Sequence, residues 1–268
     1  MSDLRRASRE ALAYDRGVAR VALAVIFVVG CGPHAAPRDD DARHEVVAVE
    51  GDAAIGTVYF IREIHGCVPE ALPQLGTPEQ QDRIVRAVVR YQFALLAELE
   101  GSGVHHVFSD GVGASYVAEN LAEDSPLLER ARSAFRERPA SIAEMSDVQT
   151  SLLFQIGAPF VYAARHSDVT LHETEDDALF QLFWESNTVG HPELGPRRRE
   201  IADTRERAIA EHVTAWLREH PGREVALVLG RDHTMSDDFI ALGAPRVVAI
   251  HWGHAALPRP DVGSLPPP

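Results

Sequence analysis

Glu63, His65 and Cys67 stand within five residues of one another in IREIHGCVPE, residues 61–70. A carboxylate beside an imidazole can polarise it as a general base, and a thiol two residues on could act as a nucleophile with an adjacent base. No further motif supports the thiol, so the acid/base pair carries the expectation. A second group of the same kind, Asp232 and His233 in VLGRDHT, lies near the other end of the chain. Between them are Asp110 in VFSDG, and Glu173 and Glu175 in LHETEDD. His251 and His254 in HWGH have a spacing that a metal ion can use, although the pattern alone is unspecific.

Each of these groups follows a short apolar run. The strand candidates are GTVYFI (56–61), VHHVF (104–108), DVTLH (168–172), EVALVLG (224–230) and RVVAIHW (246–252). Helical periodicity fills the gaps. Over residues 78–99, Ile84, Val88, Tyr91 and Leu95 form one stripe, joined by Val85, Val89 and Leu96. Residues 140–156, 176–186 and 196–220 read the same way. Strands alternating with helices predict an α/β fold with a mostly parallel or mixed central sheet flanked by helices. EVALVL is nearly continuous in apolar residues, as a strand covered on both faces should be. In such a sheet the loops after parallel strands share one edge, the edge at which open α/β folds bind ligands. Glu63, His65, Asp110, Glu175 and His233 would meet there. His105 and His106 fall inside a strand and read as structural.

Arg205 comes to the same place from a helix. In IADTRERAIAEHVTAWL it lies four residues from both Ile201 and Ile209, in the middle of the apolar face, whereas Arg207 points away. A guanidinium in that position needs a carboxylate or an anionic ligand. Asp237 and Asp238 read as the first turn of a further helix, where negative charge is favourable.

The chain has 268 residues and a formal charge of −14, with 45% apolar and 25% charged residues, ordinary for a soluble globular protein. That charge argues against a nucleic-acid partner, since binding phosphates needs a basic surface. Residues 1–30 hold five arginines against Asp3, Glu10 and Asp15, so the remainder carries −16. VALAVIFVVG ends this basic leader and is too short to span a bilayer but suits the core of a signal peptide. It runs into Cys31, and VVGC resembles the lipobox of bacterial lipoproteins, which implies lipidation of Cys31 and a membrane anchor in the cell envelope. With Cys31 so used, Cys67 has no partner for an intrachain disulfide. The organisation expected is a leader over 1–30, a flexible tether over 31–50, one α/β domain over 51–256 and a Pro-rich tail over 257–268.

REIHG and LGRDHT together resemble the paired motifs of the erythromycin-esterase/ChaN-like/TraB–Tiki superfamily, in which G-E-x-H or G-x-x-H follows the first strand and G-x-G-H or A-x-x-H a late one. Glu63 and His65 match the first, Gly230 and His233 the second. DTRERAIAEHV is similar to the family's arginine-bearing helix and places Arg205 on that arginine. HETEDDALF places Glu175 and Asp176 on an acidic stretch seen in some members, and VFSDG places Asp110 on the acidic end of the second strand. Arg62 stands where a glycine is usual, Asp110 where a glutamate is, and Glu206 where Asn or Asp follows the arginine. The resemblance implies one of two roles. One is a hydrolase of ester or peptide bonds in a small molecule or peptide, with His65 as general base and Arg205 on a substrate carboxylate or oxyanion; in a metal-dependent version His65 and His233 would ligate a divalent ion. The other is a non-catalytic lipoprotein that binds haem or another small ligand.

Overall fold

The computed structural model describes residues 44–50, 55–63, 77–186, 193–230, 233, 235–243 and 246–252. Six strands form one sheet: β1 (His44–Glu50), β2 (Gly56–Glu63), β3 (His106–Ser109), β4 (Thr170–His172), β5 (Arg223–Gly230) and β6 (Arg246–Trp252). Their spatial order is β1-β6-β2-β5-β3-β4. β6, β2, β5, β3 and β4 run parallel, and β1 pairs with β6 antiparallel. The helices are α1 (Pro78–Ser102), α2 (Ala114–Asn120), α3 (Pro126–Ala134), α4 (Asp147–Arg165), α5 (Asp177–Ser186), α6 (Arg198–Glu219) and α7 (Ser236–Ala241).

The predicted α/β class and mostly parallel sheet match this architecture. All five predicted strands are present, with no end shifted by more than two residues and the last, 246–252, matched at both ends. One boundary was wrong. Residues 44–50 belong to the sheet as β1, so the tether expected over 31–50 cannot run past His44. Six antiparallel pairings with β6, interrupted by a bulge between Val46 and Ala48, satisfy backbone groups that a tether would leave to water. Residues 1–30, Cys31 and the tail from 257 lie outside the described residues. Among those described, no helix is long and apolar enough to cross a membrane.

Side-chain alternation divides the core into two layers. Val225, Leu227 and Leu229 face one way with Val58, Phe60 and Phe108, against Ile209, Val213 and Leu217 of α6 and Phe239 of α7. Ala226 and Val228 face the other way with Ile61, Val107 and Leu171, against Leu95, Leu96 and Leu99 of α1 and Leu152, Leu153 and Phe160 of α4. β5 is therefore buried on both faces, as its unbroken apolar run predicts.

Local signals set the helix ends. Thr77 and Gln80 form a capping box at the start of α1, where Pro78 occupies the first turn, and Gly103 ends the helix with a left-handed φ of 67°. Ser146 and Gln149 repeat the box at the start of α4. Within α4 the backbone breaks at Gly157, whose φ of 72° lies outside the helical region. The Ala158 amide freed by the break donates to the buried Gln92 side chain of α1 at 2.6 Å. A polar residue inside the α1 stripe thus repairs a kink in α4.

Candidate active site at the carboxyl edge of the sheet

β2, β5, β3 and β4 are consecutive in the sheet, so the residues that follow them form a row along one edge. Glu63 closes β2 opposite Gly230, the last residue of β5. Asp110 directly follows β3, and its amide donates to Val228 O on β5 at 2.9 Å. Glu175 follows β4 and makes an isolated parallel bridge with Gly113. Its amide and that of Thr174 both donate to Val112 O, at 3.0 and 2.6 Å. His233 lies three residues beyond β5, its amide bonded to Gly230 O at 3.2 Å.

Arg205 enters this row from α6 and is only 2% exposed. Its Nε donates to Glu175 Oε2 at 2.9 Å, and its Nη2 donates to both Glu175 Oε1 and Asp110 Oδ1. Two aromatic rings of α5 flank the guanidinium, with Phe180 and Phe183 centroids 5.4 and 4.8 Å from Cζ. The predicted need for a carboxylate is met twice over. Arg205, expected to hold a substrate carboxylate or oxyanion, directs its Nε and Nη2 to the internal carboxylates of Glu175 and Asp110. Its work is to neutralise and align Asp110 and Glu175.

Asp110 carries the network onward. Its Oδ2 accepts from the Gly230 amide at 3.2 Å and lies 3.7 Å from His233 Nε2. On the other side of the ring, His233 Nδ1 is 2.9 Å from Glu206 Oε1. The result is one continuous chain, Glu175–Arg205–Asp110–His233–Glu206. Glu206 was missed as a site residue and noted only as a departure at the position after the arginine. The signal for it was its place three and four residues before the buried Ile209 and Ala210, which turns it towards the sheet edge.

Burial and charge act against each other along this chain. Burial favours neutral His233, but the carboxylates of Asp110 and Glu206 outweigh it and raise its pKa to about 9. Burial likewise pushes Glu175 above the usual carboxylate range, with Arg205 opposing and Asp110 reinforcing the shift. Arg205 is held charged more firmly than usual: burial disfavours the cation, but Asp110 and Glu175 more than offset it. At neutral pH His233 is thus held protonated, bonded to Glu206 at 2.9 Å and in ion-pair range of Asp110 at 3.7 Å.

The edge predicted from the strand ends therefore does assemble Asp110, Glu175, Arg205 and His233. Glu63 arrives at the same end of the sheet, but its side chain lies outside the described residues, as do His65, Cys67, Asp232 and His254. Glu173 is exposed and takes no part, and Asp176 caps α5 by accepting from the Leu179 amide at 2.9 Å. Among the described residues no three His, Cys, Asp or Glu side chains are grouped to hold a metal ion. Both nitrogens of His233 face carboxylates, Asp110 at 3.7 Å and Glu206 at 2.9 Å. Comparison with family models, with curated proteins and with solved structures finds no match for this chain.

Proposed function

We propose that the protein is a hydrolase of ester or peptide bonds whose site lies at the carboxyl edge of the sheet, with His233 as general acid. One observation carries the reading: His233 sits between Asp110 and Glu206, which hold it protonated in a largely buried position beside an internally neutralised Arg205. Ionisable groups driven from their ordinary range by specific partners cluster at functional sites.

In this mechanism His65, polarised by Glu63, takes a proton from water as the oxygen attacks the acyl carbon. The tetrahedral adduct collapses as His233 gives its proton to the departing oxygen or nitrogen. Water then restores the proton on His233, and His65 releases its own. A proton donor matters most for poor leaving groups, so alkyl esters and amides are the substrates this arrangement favours. Arg205 fixes Asp110 and Glu175 without touching substrate. The paired REIHG and LGRDHT motifs, similar to those of the erythromycin-esterase/ChaN-like/TraB–Tiki superfamily, support the same residues. The basic leader, the apolar run and the lipobox-like VVGC before Cys31 support export and a lipid anchor in the cell envelope.

The test is a panel of alkyl esters and short peptides, assayed with and without a chelator. Wild type should cleave at least one class, and His233→Ala should lower its kcat by about 10²–10⁴, the usual loss of a general acid. Equal turnover in wild type and His233→Ala, or no cleavage across the panel, would remove the hydrolase reading.

A further inference from the structure

A second cluster of titratable side chains lies on the α6 face of the sheet, away from the proposed catalytic residues. His106 opens β3 and His172 closes β4, and His106 Nδ1 meets His172 Nε2 at 3.0 Å. The ring centroids are 5.2 Å apart, close to the separation of two imidazoles pointing head-on, so one ring donates and the other accepts. Trp216 of α6 covers the pair, 4.6 Å from His106 and 5.0 Å from His172. His172 also stacks on Phe108 at 4.8 Å and 16°. His212 and Trp216 of α6 and His220, which caps its end, follow one another at four-residue spacing; His220 stacks on Trp216 at 4.2 Å, and His212 meets the edge of Phe108 at 6.1 Å.

This cluster sits at the edge of the sheet. β4 is an edge strand of three residues, and its strand partner among the described residues is His106–Phe108 of β3. Its end leads directly into the candidate site. Thr174 Oγ1 donates to His172 O at 3.2 Å and accepts from the Ser109 amide at 2.8 Å, and the next residue is Glu175, the partner of Arg205.

The neighbours acting on the pair are basic groups: Arg223 at the start of β5, His105 just before β3, His212 on α6 and His220 at its end. His105 is exposed and has its own partner, Asp168 Oδ2, at 3.1 Å. Burial first, then these neighbours, lower the pKa of both rings, that of His172 to about 4. At neutral pH both are therefore uncharged and the bond between them is intact. It survives one added proton, because a charged ring still donates to a neutral one. Two protons leave both facing nitrogens as donors, and place like charges against Trp216; the one carboxylate named, Asp168, is engaged by His105.

We propose that His106, His172 and Trp216 form an acid-operated latch that holds edge strand β4, and Glu175 beyond it, in place at neutral pH and releases them in acid. Release takes two protons, so it is steeper in pH than one histidine titrating alone. The proposal is independent of whether the site hydrolyses anything.

Amide hydrogen exchange on the full chain tests it, with each pH corrected against the unfolded chain. From neutral pH to about pH 4, protection over residues 170–175 should fall about tenfold or more while β5 stays protected. The double variant His106→Phe/His172→Phe keeps ring packing without a titratable nitrogen and should stay protected over the same range. If that variant does not fold, His106→Gln alone should move the loss to lower pH. The latch is overturned if wild-type β4 keeps its protection in acid, or if the variant loses it at the same pH as wild type. The second result would assign the loss to protonation of Asp110 and Glu175 instead.

Discussion

Arg205 and Glu175, thirty residues apart, form a two-pronged ion pair in which both members are almost wholly buried, at 2% and 1% exposure. The pairing fixes two elements that share no backbone bond. It ties the middle of α6 to the loop after β4, and through Asp110 to the end of β3. Charges at that depth stay favourable only while all partners are present.

Removing Arg205 therefore does more than delete one contact. Arg205→Ala leaves Glu175 and Asp110 buried without their cation and should lower stability by about 3–5 kcal/mol. Glu175→Gln keeps a hydrogen-bond acceptor and leaves Asp110 to hold the guanidinium, so its loss should be smaller, about 1–3 kcal/mol. Urea midpoints with unchanged slopes check both values. Equal stability of Arg205→Ala and wild type would show that the network contributes nothing.

His233 makes stability depend on alkaline pH. Its folded pKa of about 9 lies above its ordinary 6.5, so its contribution is complete below pH 6.5 and is lost as pH rises through 9. The shift corresponds to roughly 3 kcal/mol. Unfolding free energies across that interval should decline in wild type and much less in His233→Asn. Glu206→Gln should lower the His233 pKa, which ring NMR signals report directly.

The kink in α4 gives a prediction apart from the site. At Gly157 an added Cβ would adopt a left-handed φ of 72° and sit 3.2 Å from Gln92 Oε1. Gly157→Ala should cost about 1–3 kcal/mol through strain alone. Gln92→Leu should cost a similar amount, by leaving the Ala158 amide without its acceptor. Thermal unfolding of each variant checks this, and the double variant should cost less than the sum, because the two changes share one contact.

Much of this architecture was legible because it rests on local pattern. Val225 to Leu229 announce a strand buried on both faces, and Arg205 four residues from Ile201 and Ile209 announces a buried cation. β1 was not legible, because HEVVAVE follows an acidic run and its pairing partner lies two hundred residues away in β6. Glu206 escaped because its spacing from Ile209 and Ala210 gives the face of α6 it lies on but not which strand end it meets. The imidazole latch escaped for the same reason: His212, Trp216 and His220 mark one face of α6, but only the sheet order brings His106 and His172 beneath them. Strand-end positions told which residues share an edge; which of them touch depended on tertiary register.

The central claim is that His233 works as a protonated acid set by its two carboxylates. The pH dependence of kcat/KM tests it most directly, on the panel ester or peptide that wild type cleaves fastest. The account predicts an alkaline limb falling with a midpoint near pH 9, moved to lower pH in Glu206→Gln. A rate that stays level or rises through that range, or a limb that Glu206→Gln leaves in place, would contradict it.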